Sequence, residues 1–257
     1  MLLNKLLETI PEQYEKVVIG DHDILLAAKR NKGAKLAKGE YLLFIDDDNY
    51  LEHCAIERAL EIVQQPGVGI VGFMACYDDK KDYVADGGSM RNMLTGFTRG
   101  VNTNADWFTI SKEPYEVDEV ANAFMMHTEL FYDLYGFDEK TFPMDMHEAD
   151  FCKRAKNAGL KILMNPMSLC YHKSVTYSIF PTFRRALYAY HHGRGRIDYS
   201  RKHYPGLRYW GHLVVFLPVF ICFYSSSLIW RRNFGVILPF FKGVLDGLSG
   251  RLKNKYQ

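Results

Sequence analysis

The residues best placed to do chemistry are Asp46, Asp47 and Asp48, which end the run Tyr41-Leu42-Leu43-Phe44-Ile45. This apolar run follows Gly39, is short and has no helical period, so it reads as a buried strand. A strand that ends in carboxylates delivers them to the carboxyl edge of a sheet, where open α/β folds bind ligands. Oxygen donors in such a cluster suit a hard cation, Mg2+ or Mn2+, and such a cation suits a phosphate or diphosphate. A plain acidic turn has the same composition. A second constellation follows further along. Gly136 and Pro143 bracket a turn, and His147, Glu148 and Asp150 then open a helical stretch. The helix dipole alone favours acidic residues there. Set opposite a metal, such a carboxylate can take a proton from a hydroxyl while the metal stabilises a leaving group.

The elements that must position these groups alternate. Leu2 to Ile10 has helical spacing. Lys16-Val17-Val18-Ile19, ending at Gly20-Asp21, reads as a strand. Leu25 to Lys38 reads as a helix closed by Gly39, and residues 51 to 62 as another, broken at Pro66-Gly67. Val68 to Met74 and Leu160 to Met164 are further strands. Glu148 to Ala158 is a helix with Gly159 as its C-terminal cap. Strand–helix alternation predicts an α/β fold, a mostly parallel sheet flanked by helices. Between Cys76 and Glu116 no period holds, which predicts a long irregular insertion. Val117 to Met126 reads as extended.

Composition narrows the class. The chain has 257 residues, 48% hydrophobic and 24% charged, with a formal net charge of +2, so nothing in the overall charge points to nucleic acid. The five scattered cysteines, without a Cys-x-x-Cys pair, read as reduced thiols. Met1-Leu2-Leu3 leads into a charged amphipathic segment, so no signal peptide is expected. The stretch from Arg184 to Arg208 is strongly basic, with only Asp198 against it, which suits anionic headgroups or phosphates. Leu213 to Trp230 then runs without a charge, at the lower limit for a bilayer span, and Phe234 to Phe241 adds a second apolar piece. Residues 211–250 are expected to associate with membrane lipids. The expected division is 1–180 and 181–257. His191-His192 reads as solvated or headgroup-facing rather than ligating, and Gly87-Gly88 as a turn.

The run Ala28-Lys29-Arg30-Asn31-Lys32-Gly33, then Lys38-Gly39-Glu40-Tyr41 through Asp48, resembles the family 2 glycosyltransferases. So does Gly136-Phe137-Asp138-Glu139 followed by His147-Glu148-x-Asp150-Phe151-x-x-Arg154 and Gly159. The run Arg201 to Pro205 and the tail Gly243 to Gly250 are similar to the membrane-associated, rhamnosyltransferase-like branch. The resemblance implies a GT-A (Rossmann-like) fold with a C-terminal membrane-associated segment, and inverting transfer of one sugar from a nucleotide-sugar donor to a glycan or lipid-linked acceptor. It implies nucleotide contacts from Asp21, Arg30, Asn31, Asp46 and Asp47, and a cation on Asp46 and Asp48. Glu148 would be the general base, with His147 and Asp150 on the acceptor side, all at the cytoplasmic face of the cell membrane.

The chain departs from that pattern in places. The family's opening Val-Ile-Ile-Pro strand is absent, which a misplaced start codon, a natural fragment or a gap-filling partner would each explain. Asn122 stands where Gly is usual and His127 where Arg is common. There is no Gln-x-x-Arg-Trp motif, which argues for single-sugar transfer over polymerisation. Two rival readings share the aspartates: a haloacid-dehalogenase-like phosphatase, and a non-catalytic membrane-bound scaffold.

Overall fold

The structure is a computed structural model that describes residues 2–92, 95–173 and 182–250. Helix α1 (Leu2–Thr9) precedes an extended segment, then come α2 (Leu26–Leu36), β1 (Tyr41–Ile45), β2 (Asn49–Leu51), α3 (Ala55–Val63) and β3 (Val68–Tyr77). The central part holds β4 (Val84–Asp86), β5 (Ser89–Arg91), β6 (Thr98–Gly100), β7 (Tyr115–Glu116), β8 (Ala123–His127) and α4 (Thr128–Asp133). Helix α5 (His147–Asn157) and β9 (Lys161–His172) close the sheet. The segment read as an irregular insertion therefore contributes short strands, which its Gly and Asn content had obscured.

The main sheet has the order β1-β8-β3-β9-β2, with β4 on β3 and β7 on β9. The α/β class stands, but the sheet is mixed rather than mostly parallel. Among the described residues the only parallel ladder joins β3 to β9, because β8 runs antiparallel to both β1 and β3. Strands β1, β3 and β9 still share one direction, so their carboxyl ends meet at one edge. Helices cover both faces. Phe131 of α4, Phe151 of α5 and Ala27 and Ala34 of α2 pack against Phe44, Ile70 and Met126 on one side. Ile56, Ala59 and Val63 of α3 pack against Val71, Phe73 and Met125 on the other. Burying the Phe, Ile, Val and Met side chains among these contributes roughly 1.5–3 kcal/mol each.

The expected strand Lys16–Ile19 does not form. Val17 and Val18 are exposed, and the segment pairs with no strand among the described residues. β-Branched residues favour a strand only where a neighbour can complete the ladder.

A helical region follows: α6 (Thr182–His203), α7 (Leu207–Gly211), a π-turn at His212–Phe216, α8 (Leu217–Trp230) and α9 (Ile237–Leu248). The expected division at 180/181 falls outside the described residues. Helices α6 and α9 cross closely at glycines. A Cβ on Gly243 would meet the Tyr190 carbonyl oxygen at 2.0 Å, and one on Gly193 the Phe240 carbonyl oxygen at 2.6 Å. Phe142, Met146 and Ala149 pack with Tyr199 and Tyr204, joining this region to the sheet domain. Residues Leu207–Trp230 form one helix long and apolar enough to cross a membrane, with most of its surface outside the protein core. At 1.5 Å per residue it would be about 36 Å long, against a bilayer core of about 30 Å.

Candidate active site

The carboxyl edge gathers residues from distant parts of the chain. Strand β1 ends at Asp46, whose N–H donates to the Asn122 carbonyl oxygen at 3.0 Å, so the turn into Asp47 and Asp48 is tied to the start of β8. Helix α5 opens with Met146 in the left-handed region at φ 68°, which aims Glu148 back toward this edge. Arg30 of α2 lies between them. Its Nη2 donates to Asp46 Oδ1 at 2.7 Å, and its Nη1 donates to Glu148 Oε1 and to His147 Nε2, the latter at 2.8 Å.

That single guanidinium sets the electrostatics. Burial disfavours the charge of Arg30, but Glu148 and Asp46 outweigh it and hold the group charged. Burial works to raise Glu148, yet the charge and hydrogen bond of Arg30 help to bring it below the ordinary glutamate value, so it is ionised and able to accept a proton. His147 is pushed down to about 4 by burial, reinforced by Arg30. It is therefore neutral, accepts at Nε2 and carries its proton on Nδ1, which is buried without a hydrogen-bond partner among the described residues.

Asp46 is raised by burial, with Glu148 and Asp48 acting the same way against Arg30. Asp48 accepts from Asn49 Nδ2 at 3.0 Å and lies 3.3 Å from His172 Nε2 at the end of β9. Asp86, at the end of β4, accepts from the Gly88 N–H and from Asn122 Nδ2, both at 2.8 Å, and is likewise raised by burial. The edge thus carries more negative charge than Arg30 offsets. That excess and the all-oxygen donors of Asp46 and Asp48 fit a hard divalent cation. Among the described residues no three His, Cys, Asp or Glu side chains form a ready ligand set, so Asp46 and Asp48 would share such an ion with donor phosphate oxygens.

Beside Glu148 lies a cavity of about 180 Å³, lined among others by Asp86, Ser89, Arg91, Glu119, Asp145 and Arg196. Sequence reasoning placed Arg196 only within the basic stretch suited to anionic headgroups or phosphates and missed the others. Asp86 and His172 had one available signal, their place at the ends of strands that reach the carboxyl edge.

Several expected site residues are placed elsewhere. Asn31 is fully engaged in structure: Nδ2 donates to the Phe137 carbonyl and to Glu139 Oε2, and Oδ1 accepts the Phe137 N–H at 2.9 Å. It pins the Gly136–Glu139 turn rather than facing a nucleotide. Asp150 is completely buried and meets His203, Lys202 and Arg154, each within 2.9 Å. An acceptor cannot reach it; it ties α5 to α6. His147 is also buried, edge-on to Phe137 at 5.4 Å, and does not line the cavity. Asp21 is half-exposed and paired with Lys32 at 2.5 Å. Asp47 is exposed at the turn. His127 pairs opposite Tyr41, at the far end of β1 from the acidic edge. His191 is buried and His192 bonds Asp145 at 2.8 Å, so neither is solvated as expected.

A sheet that delivers an Asp-x-Asp turn to its carboxyl edge, with helices on both faces and a carboxylate opposite, has the architecture of the GT-A glycosyltransferases. Residues 5–111 match the family model described as Glycosyl transferase family 2. Comparison with curated proteins gives no match. Among solved structures, GalNAc-T7 with UDP, GalNAc and Mn2+ aligns over 58% of this chain and 30% of its own, at 16% identity and a TM-score of 0.48. The mannosyltransferase PcManGT from Pyrobaculum calidifontis, in complex with GDP-Man and Mn2+, aligns over 88% and 67%, at 10% identity and a TM-score of 0.46. The chain spans less than a third of the first of these, and both likenesses are weak.

Proposed function

We propose that the protein is an inverting, divalent-cation-dependent glycosyltransferase that moves one sugar from a nucleotide-sugar donor to a glycan or lipid-linked acceptor. The observation that carries this reading is the Arg30 bridge, which brings the Glu148 carboxylate to the Asp46 turn across one guanidinium. Glu148 takes the proton of the acceptor hydroxyl. The hydroxyl oxygen forms the new bond at the anomeric carbon as the bond to the donor phosphate breaks, and the electron pair leaves with the nucleoside diphosphate. A cation held by Asp46 and Asp48 would offset the charge gathering on that diphosphate. Arg30 keeps Glu148 ionised and oriented. Helix Leu207–Trp230 and the basic α6 support the reading of a reaction at a membrane surface, on the cytoplasmic side, with 181–257 as the attachment region.

Substituting Glu148 by Gln tests the assignment. Turnover of the cognate donor should fall about 10²–10⁴-fold, the usual contribution of a general base, with donor affinity unchanged. Retained turnover would overturn the role of Glu148.

A further inference from the structure

A helix that crosses a bilayer puts its midpoint at the bilayer centre. Phe220 lies near the midpoint of Leu207–Trp230, and its inner side faces charge. The Arg196 guanidinium lies over its ring, 4.6 Å from the centroid. The His192 ring is 5.5 Å from Phe220 and 4.7 Å from Tyr224, one turn further on. His192 bonds Asp145, and Arg196 and Asp145 both line the cavity beside Glu148. Nearer the start of the helix, Phe216 meets Phe97, just before β6, at 4.1 Å. A crossing helix would therefore carry Arg196, Asp145 and a border of the sheet domain to the depth of the bilayer centre. Charged side chains are expensive there, and irregular backbone facing lipid finds no hydrogen-bond partners.

The outer side is apolar on two helices, not one. Val215, Val219 and Phe223 are exposed on the long helix, and Leu238, Phe241 and Leu245 are exposed at helical spacing on α9. The inward residues of both, Phe220 and Phe240 among them, pack into one cluster with Ala189 and Ile197 of α6. Trp210 and Trp230 stand exposed at the two ends of the long helix, and such rings anchor at a membrane–water boundary. Arg208, Arg231 and Arg232 are exposed beside them, and no acidic residue occurs between Asp198 and Asp246. A second copy would bring the same positive charge against this face, whereas an anionic leaflet brings the opposite charge.

We propose that the long helix and α9 lie together in the plane of one anionic leaflet and that neither crosses the bilayer. Their outer faces sink to the headgroup–acyl boundary, as amphipathic helices do, and their inner faces keep α6 and the cavity out of the lipid. The inference rests on the membrane part of the reading above and not on sugar transfer. It goes beyond that reading by fixing how the chain is held, with both ends of the long helix on the side of the sheet domain.

The full chain on sealed vesicles of phosphatidylcholine and phosphatidylglycerol tests this. With Cys54 and Cys222 changed to Ser, single cysteines are introduced by Tyr135→Cys on the sheet domain and Arg231→Cys beyond the long helix. A membrane-impermeant maleimide added outside should label both to the same extent. Protection of Arg231→Cys until the vesicles are lysed, with Tyr135→Cys labelled, overturns the in-plane arrangement and leaves membrane attachment standing. Leu238→Asp with Leu245→Asp, both on exposed positions of α9, should weaken vesicle binding at least about tenfold with melting unchanged. Wild-type binding by that variant overturns the proposal, because a lone crossing helix would not need α9. Failure of the wild-type chain to float with vesicles, or a dimer formed through this face in their place, sinks the membrane reading as well. Mn2+-dependent binding of nucleoside diphosphates judges the transfer reading separately.

Discussion

Glu148 and Asp150 lie two residues apart in the first turn of α5, and they have opposite surroundings. Glu148 borders a cavity and depends on Arg30, which it shares with Asp46. Asp150 is sealed between α5 and α6 with His203, Lys202 and Arg154 on its oxygens. Burial works to raise Asp150, yet those partners bring it down to about 2. Of two carboxylates under the same helix dipole, one faces a cavity and the other is a structural tie. What separates them is access and the number of fixed donors, and neither quantity is encoded in their spacing.

The largest effect on that contrast should come from Asp150→Ala. Removing one partner from a buried ion network costs about 3–5 kcal/mol, which should lower Tm by roughly 10 °C in a chain of this size, without abolishing donor binding. Unchanged melting would show that Asp150 is not the tie between α5 and α6.

Acid should act on the same site. With a folded value of about 2, against about 4 in the unfolded chain, the unfolded state binds the proton first as pH falls. The stability from Asp150 is complete above about pH 4 and is lost as pH falls toward 2, about 2–3 kcal/mol in all. Denaturant melts across that window should show the decline, and Asp150→Asn should flatten it.

A smaller effect is expected at Glu148. Arg30→Lys leaves a point charge that cannot span both carboxylates. Because Arg30 helps lower Glu148, the variant should move the acid limb of the rate profile upward, by about one pH unit if about 1.4 kcal/mol of interaction is lost. A limb that stays in place would remove Arg30 from control of the base.

Much of this architecture was legible from residue patterns. The run Tyr41–Ile45 is a strand that ends at the acidic turn, α2 and α5 lie where their periods place them, and the long apolar helix spans Leu207–Trp230. These depend on local sequence. Long-range pairing was not legible. Lys16–Ile19 has strand residues without a strand beside it. Asn31 is spent on Phe137 and Glu139, more than a hundred residues away. Asp86 enters the site because β4 pairs with β3, and Arg196 because α6 packs against the start of α5. Asn122, unusual by comparison with the family pattern, adopts φ 61° and holds both the Asp46 turn and Asp86.

The central claim is that the carboxyl edge of β1 takes a nucleoside diphosphate through a cation on Asp46 and Asp48. Titration of UDP, GDP and dTDP into the full-length protein, with and without Mn2+, tests it directly. The account predicts that at least one binds in the presence of Mn2+ and that affinity falls at least tenfold when Mn2+ is removed or Asp48 is changed to Ala. Binding that ignores both the metal and Asp48, or no binding to any of the three, would contradict it.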